Sequence, residues 1–315
     1  MRALGKTGLR VSDLALGTWG LSGDAYGAVE RAERQRVVRR ALEMGLSLID
    51  TADAYGAGQM ERLIGDELRE TARDAIVVTK GGIDRTTSPP RRRFDGAYLR
   101  DSVHRSLRRM RRDRIDVYLL HNPGVSTLTA EPSEAIDALL ELKREDKIAH
   151  WGVSVGDVAV GRAALRKGAE VVELPYNLLH PSDLHRLAGE VVVAGAGVLA
   201  RSTLAYGMLA GSWSKDHEFA PGDHRADRWT RVEFERRIEQ LSSLRFLLNG
   251  EVRTPAAAAI RFVLSNSIVS CAVLGPRSVS QLEEIVRDVG MGPIYLRDAD
   301  LGRIPRALEA AGIDP

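Results

Sequence analysis

Short runs of β-branched and leucine-rich residues alternate along the chain with longer stretches whose apolar positions recur at helical period. Such alternation is the pattern of repeated βαβ units. Strands are predicted at residues 15–17, 47–50, 76–80, 116–121, 150–154, 171–174, 191–200 and 269–274. Amphipathic helices are predicted at residues 31–44, 59–70, 97–111, 132–145 and 158–167. In 97–111, Leu99, Val103, Leu107 and Met110 share one face and arginines cover the other. A short β-hairpin, residues 2–4 and 9–11 about a Lys6-Thr7-Gly8 turn, is predicted ahead of the first of these strands. Eight strands alternating with helices, without a break rich in Pro, Gly or Ser, predict an α/β fold of the (β/α)8 TIM-barrel type, with residues 1–315 forming one domain. The least regular stretch, 211–230, carries Trp213, His217, Pro221, Gly222, His224 and Trp229. A loop of that length in a compact domain is usually functional or mobile.

Four predicted strands end in a polar residue: Asp50, Lys80, His121 and Ser154 each close an otherwise apolar run. In a parallel barrel those carboxyl ends converge on one mouth, where side chains from different strands meet around a ligand. Taken singly, each has a plain structural role open to it. Asp50 fits a helix N-cap, Lys80 a solvated strand end and His121 a turn histidine, and Tyr55 fits a loop aromatic packed on the rim. Together they fit one chemistry. A phenol near pKa 10 is a poor acid until a neighbouring cation stabilises the phenolate. A buried lysine supplies that cation, and an aspartate keeps the lysine charged and oriented. A histidine facing the same pocket polarises a carbonyl oxygen through a hydrogen bond.

Composition narrows the class without changing this picture. At 44% hydrophobic and 28% charged, the chain is that of an ordinary globular protein. Forty-five basic residues against 43 acidic ones leave a net charge of +2, without the lopsided balance of a nucleic-acid binder. Arg91-Arg92-Arg93, after Pro89-Pro90, reads as a solvated loop. The single cysteine, Cys271, excludes a disulfide scaffold and a cysteine zinc cage, and is predicted in the core. The first ten residues lack the apolar run of a signal peptide, and the stretch 191–200 is half the length of a membrane span. A soluble, cytoplasmic protein is expected, acting on a small molecule, with neither a membrane nor a nucleic acid as partner. Oligomeric state has no visible signature.

The motifs resemble those of the aldo-keto reductase superfamily over nearly the whole chain. Gly45-Leu46-Ser47-Leu48-Ile49-Asp50-Thr51-Ala52-Asp53-Ala54-Tyr55-Gly56, continuing to Glu61 and Ile64-Gly65, is similar to the longest signature of that family. Val77-Val78-Thr79-Lys80 resembles its lysine strand, and Ile115-Asp116-Val117-Tyr118-Leu119-Leu120-His121 its histidine strand. Leu16-Gly17-Thr18-Trp19 resembles the first barrel strand and its loop. The resemblance implies reversible, NADPH-dependent reduction of an aldehyde or ketone, with NADH a less common cofactor and no Rossmann fold. It assigns a catalytic tetrad of Asp50, Tyr55, Lys80 and His121, with Tyr55 the general acid. Cofactor contacts are implied for Gly17, Thr18, Trp19, Asp50, Ser154, Glu173, Arg201, Ser202, Leu204, Gly275, Arg277, Gln281 and Glu284. A substrate pocket of Trp19, Tyr55, His121 and Trp213, with Trp229 beside it, is expected, the tryptophans alternatively packing on the rim. No metal is implied.

The cofactor side departs from the family pattern. Val155 stands where the family has Asn, Glu173 where a carboxamide-binding Gln is usual, Arg201 where an aromatic often stacks on the nicotinamide, and Ile285 where Asn is usual. Glu173 and Arg201 end adjacent strands and are expected to pair beneath the nicotinamide, the carboxylate fixing the guanidinium plane with charge-assisted hydrogen bonds. Arg277 is expected at the 2′-phosphate of NADP. Three rival readings remain. Gly152-Val153-Ser154-Val155-Gly156 fits G-x-S-x-G, a hydrolase nucleophile elbow, with Asp223, His217 and His224 as partners. A metal-dependent hydrolase would need paired ligands, whereas His180/His185 and His217/His224 lack a familiar spacing. A non-catalytic NADP(H)-binding regulatory subunit would share the fold.

Overall fold

The computed structural model describes residues 1–71, 74–290 and 294–313. A two-stranded antiparallel hairpin comes first, β1 (Arg2–Ala3) with β2 (Arg10–Val11). β3 (Leu14–Gly17), β4 (Leu48–Asp50) and β5 (Ile76–Gly81) follow, then a second small hairpin of β6 (Ile83–Asp84) and β7 (Arg91–Arg92). The remaining strands are β8 (Ile115–His121), β9 (Ile148–Ser154), β10 (Val171–Pro175), β11 (Gly197–Arg201) and β12 (Cys271–Leu274). β3, β4, β5, β8, β9, β10, β11 and β12 are parallel and close into a barrel, β12 pairing back onto β3. Helices between the strands wrap this cylinder, giving the (β/α)8 TIM-barrel fold, and the N-terminal hairpin is present as expected.

The alternation of side chains along a strand explains both cores. Ala15, Leu48, Val78, Val117, Leu119, Val171, Leu199, Cys271 and Val273 form one buried cluster inside the barrel. Leu4 and Val11 of the hairpin join it, so β1 and β2 plug the lower end. The residues between them, among them Leu16, Ile49, Val77, Tyr118, Leu120, Val172 and Val198, face the helices and join a second core. Gly152 is needed inside: a Cβ there would lie 1.9 Å from the Val171 carbonyl oxygen. Two residues beyond the last apolar inward position, the same strand parity brings Asp50, Lys80, His121, Glu173 and Arg201 to the upper end.

Predicted and observed helices agree closely where the apolar stripe is narrow. Arg31–Glu43, Gln59–Thr71, Gly96–Met110, Glu134–Arg144 and Val158–Arg166 are all helical. Caps explain the small shifts: Asp95 accepts from the Tyr98 amide, and Ser133 from that of Ile136. The strand predicted at 191–200 is corrected. Its first half belongs to the helix Ser182–Ala194, whose last turn exposes Val192 and Val193, and Gly195 at φ 64° ends that helix before β11 begins. Arg91-Arg92-Arg93 is exposed or nearly so, but Arg91 and Arg92 form β7 instead of a loop. Cys271 is fully buried. Among the described residues no helix is long and apolar enough to cross a membrane.

Candidate active site

Asp50, Lys80 and Glu173 meet in a sealed layer at the upper end of the barrel, each no more than 4% exposed. The Lys80 ammonium donates to Asp50 Oδ1 and, at 3.0 Å, to the Thr51 carbonyl oxygen. Glu173 Oε2 lies 3.1 Å from the same nitrogen. Tyr55 and His121 stand above this layer and reach solvent. Lys80 Nζ is 5.6 Å from the centre of the Tyr55 ring, and the rings of Tyr55 and His121 are 6.0 Å apart and nearly perpendicular. The structure thus brings Asp50, Tyr55, Lys80 and His121 to one place, with Glu173 beside them.

Burial and charge set their protonation. Burial alone would strip the Lys80 proton, but Asp50 and Glu173 outweigh it and move its pKa up. Asp50 is pushed up by burial and by Glu173, against the pull of Lys80. Burial also raises the Tyr55 phenol, with Lys80 opposing and Asp50 adding. His121 is driven down to about 3 by burial and by Lys80 and Arg201, so its ring is neutral at ordinary pH.

Arg201 stands where the pairing with Glu173 was expected, its Nε 3.8 Å from Glu173 Oε1. The expected hydrogen bonds between them are corrected: at that distance the contact is an ion pair only. The guanidinium plane is fixed instead by the Val155 carbonyl oxygen at 3.2 Å and Ser202 Oγ at 3.4 Å. The Glu173 head cannot serve both sides fully, because its other oxygen lies on Lys80. Ser154 closes β9 beside Glu173 in register, and Val155 is buried with its amide donating to the Glu173 carbonyl.

The Tyr55 loop is held from several directions. Gly56 (φ 56°) and Ala57 (φ 50°) adopt left-handed backbone there. The Gly56 amide donates to Asp24 Oδ2 at 2.7 Å, and Arg85 ties Asp24 to the Ala54 carbonyl. Beneath the loop, Glu61 accepts from Thr79 Oγ1 and Arg109, linking two helices to β5. Asp53 accepts from Ser102. Asp24 and Arg85 escaped the sequence reading because isolated polar residues in loops carry no periodicity.

Gly17 and Thr18 lie beside the tetrad, the Thr18 amide and hydroxyl both donating to the Asp50 carbonyl. Trp19 packs on Tyr26 and His224, each with ring centres 5.2 Å away. Trp213 stacks on His217, with Phe219 and Phe234 at its edge and Arg225 over its face. Arg225 also covers Tyr26, so Trp19 and Trp213 belong to one connected aromatic cluster, and Trp229 joins it through Phe219. Ser202 and Leu204 open the turn after β11. Gly275 follows β12, and Gln281 Oε1 accepts from the Arg277 amide at 2.8 Å. Arg277 donates to the Gly27 and Ala28 carbonyls, while its Nε is buried without a partner. Glu284 is exposed, and Ile285 packs on the core.

The hydrolase elbow finds no support. Asp223 is held by Arg225, and His224 packs among Trp19, Tyr26 and Tyr206. Among the described residues no histidine hydrogen-bonds Ser154, and no cluster of three or more His, Cys, Asp or Glu could hold a metal.

The closed parallel barrel carries a buried ionic layer at the carboxyl ends of its strands. The Aldo/keto reductase family model matches residues 13–300, and the chain belongs to that family. It is an oxidoreductase that works with a nicotinamide cofactor. The aldo-keto reductase YhdN of Bacillus subtilis is 26% identical, the match covering 99% of this chain and 95% of the relative. An NADH-specific methylglyoxal reductase of Escherichia coli is 28% identical over 98% of each chain. The structure of the glycerol dehydrogenase AKR11B4 from Gluconobacter oxydans superposes with a TM-score of 0.85 at 27% identity, covering 100% of this chain and 96% of that one.

Proposed function

We propose that the chain acts as a single-domain barrel enzyme that reduces an aldehyde or ketone to the alcohol, reversibly, with NADPH in preference to NADH. The observation that carries this reading is the fully buried Lys80 ammonium, held between Asp50 and Glu173 below the Tyr55 ring. The residues present fit the cofactor: His121 Nδ1 is a buried polar atom without a hydrogen-bond partner at the mouth, and Arg277 Nε is another near Gly275. Buried polar atoms are normally satisfied, so such orphans mark where a polar ligand belongs. Ser154, Glu173, Arg201, Ser202 and Leu204 would hold the nicotinamide end with Gly17, Thr18 and Trp19. Gly275, Arg277, Gln281 and Glu284 would hold the adenosine phosphate end.

When bound, a dihydronicotinamide supplies a hydride to the carbonyl carbon. Tyr55 gives its phenolic proton to the carbonyl oxygen, completing the alcohol and leaving a phenolate. Lys80 stabilises that phenolate, and Asp50 keeps Lys80 charged and in place. Neutral His121 donates an N–H to the same oxygen and orients it. Trp19 supplies an apolar wall for a small carbonyl compound, while Trp213, covered by His217 and Arg225, braces the aromatic cluster on the rim. The preference for NADPH rests on Arg277, whose fork suits a phosphate monoester.

Fluorescence titration with NADPH and NADH, followed by nicotinamide oxidation across a panel of aldehydes, tests the reading. Tyr55→Phe is expected to bind cofactor normally and to turn over at least about 10²-fold more slowly. Wild-type turnover in that variant would refute the role of Tyr55. Tight binding without turnover of any carbonyl by the native protein would favour the regulatory subunit.

A further inference from the structure

Lys80 has three ammonium protons. Two are donated to Asp50 and to the Thr51 carbonyl, leaving one for the phenol oxygen that the proposed reaction would deprotonate. Glu173 puts a second carboxylate on the same ammonium, 3.1 Å away and almost fully buried. The placement follows from register: Glu173 lies opposite Ser154 of β9 and Leu199 of β11, so its side chain shares the inward parity of Lys80. A neutral glutamine at this position would leave Lys80 to Asp50 alone.

Resting on the assignment of Tyr55 as the general acid, we infer that Glu173 is a positioning residue that competes with Tyr55 for the charge of Lys80, holding the phenol protonated into the alkaline range and biasing the enzyme toward reduction. The charged groups facing Tyr55 are Lys80 on β5, Asp50 on β4, Glu173 on β10 and Arg201 on β11, while His121 on β8 is neutral. Two carboxylates against two cations leave the pocket balanced. Removing one carboxylate makes it net cationic, which favours the phenolate. Alcohol oxidation needs that phenolate as its base, taking the hydroxyl proton as the hydride passes to the oxidised nicotinamide. Glu173 therefore restricts the reverse reaction to high pH. The direction of the Tyr55 shift agrees, burial raising the phenol and Glu173 adding to it.

Glu173→Gln is the test, read in two ways. The first is ultraviolet difference titration of phenolate in the cofactor-free protein, with Glu173→Gln/Tyr55→Phe as the reference that identifies Tyr55. The second is the pH profile of kcat in both directions. In Glu173→Gln the Tyr55 midpoint is expected to fall by about one to two pH units. The alkaline limb of reduction should move down with it, and oxidation at a fixed mildly alkaline pH should rise about tenfold for each unit. Glu173→Asp keeps the charge on a shorter arm and is expected to shift the midpoint less; it also serves if the glutamine variant does not fold. Superposable titrations and profiles in variant and native protein would overturn the inference. So would an aspartate variant shifted as far as the glutamine one, since packing would then explain both. If Tyr55→Phe kept full turnover, the assignment of the acid would fall, whereas the difference titration would still report whether Glu173 governs the ionisation of Tyr55.

Discussion

The two ends of the barrel interior are built by the same strands with the same alternation, yet they hold opposite chemistry. On β8, Val117 and Leu119 lie in the apolar interior, and His121 follows at the next inward position. On β5, Val78 is followed by Lys80, and on β10 Val171 is followed by Glu173. The lower end is closed by Leu4 and Val11 and needs no ligand. The upper end buries two carboxylates and one ammonium, and it leaves His121 Nδ1 without a hydrogen-bond partner. An apolar cluster gains stability by excluding water, whereas a buried ion layer is stable only when its charges balance. One end therefore stabilises the fold, and the other is organised for chemistry at a cost in stability.

The largest way to break this contrast is Lys80→Met. It leaves Asp50 and Glu173 facing each other without the ammonium between them, and removing one member of a buried ion pair costs about 3–5 kcal/mol. Turnover should fall by at least about 10²-fold, and the melting temperature should fall too. The thermal loss should be greater at alkaline than at acidic pH, because Asp50, already pushed up by burial and by Glu173, takes up a proton at the acidic end. Calorimetry at both pH values checks the sign. An equal loss at both would mean that the layer is not governed by charge.

Leu119→Ala, two residues below His121 on the same strand, should behave in the opposite way. Removing buried methyl groups from a closed apolar interior costs about 2–5 kcal/mol. Denaturant unfolding should show that loss while kcat/KM of the folded protein stays near the native value. A loss of activity without a loss of stability would show that the two ends are mechanically coupled.

The difference between the ends also governed what could be read from the sequence. Strands β4, β5, β8 and β9 were legible because each apolar run stops at a polar residue, and Asp50, Lys80 and His121 were found by that interruption. The helix Pro255–Ser265 was not, since residues 257–264 are all buried and show no amphipathic stripe. Val191 to Val193 imitated a strand because β-branched residues at a helix end carry no period of their own. Glu173 and Arg201 were expected to meet, from their places at the ends of adjacent strands. That Glu173 reaches across to Lys80 was hidden, because β5 and β10 are separated by two strands and only closure of the barrel brings them together. Asp24 and Arg85 were likewise invisible, because their roles depend on loops from different strands meeting at the Tyr55 turn.

A third, smaller test concerns the outer edge of the mouth. Arg277 now donates to the Gly27 and Ala28 carbonyls, and one of its nitrogens has no partner. Arg277→Ala removes a guanidinium suited to phosphate and leaves the rest of the cleft in place. Affinity for NADPH should fall about tenfold, the scale of one charge-assisted contact, with little change for NADH. Equal losses for the two would assign Arg277 to holding the loop around Gly27.

The smallest expected effect is a pH signature of His121. Its folded pKa, about 3, lies below its ordinary value of 6.5. Below that ordinary value the unfolded chain takes up a proton that the folded protein refuses, so stability falls as pH drops from about 6.5 toward 3. His121→Asn keeps a hydrogen-bonding side chain without that titration. Its melting temperature should therefore decline less than that of the native protein between neutral and mildly acidic pH, a difference of a few degrees in parallel thermal scans. Over the same range, native activity should show no break attributable to a histidine near pH 6.5, because the ring proposed to orient the carbonyl is already neutral there. Parallel declines in the two proteins would mean that the imidazole is less screened from water than its place above Lys80 implies. The contrast between a closed apolar end and a charged, sealed one would then stop at Lys80 and not extend to the rim.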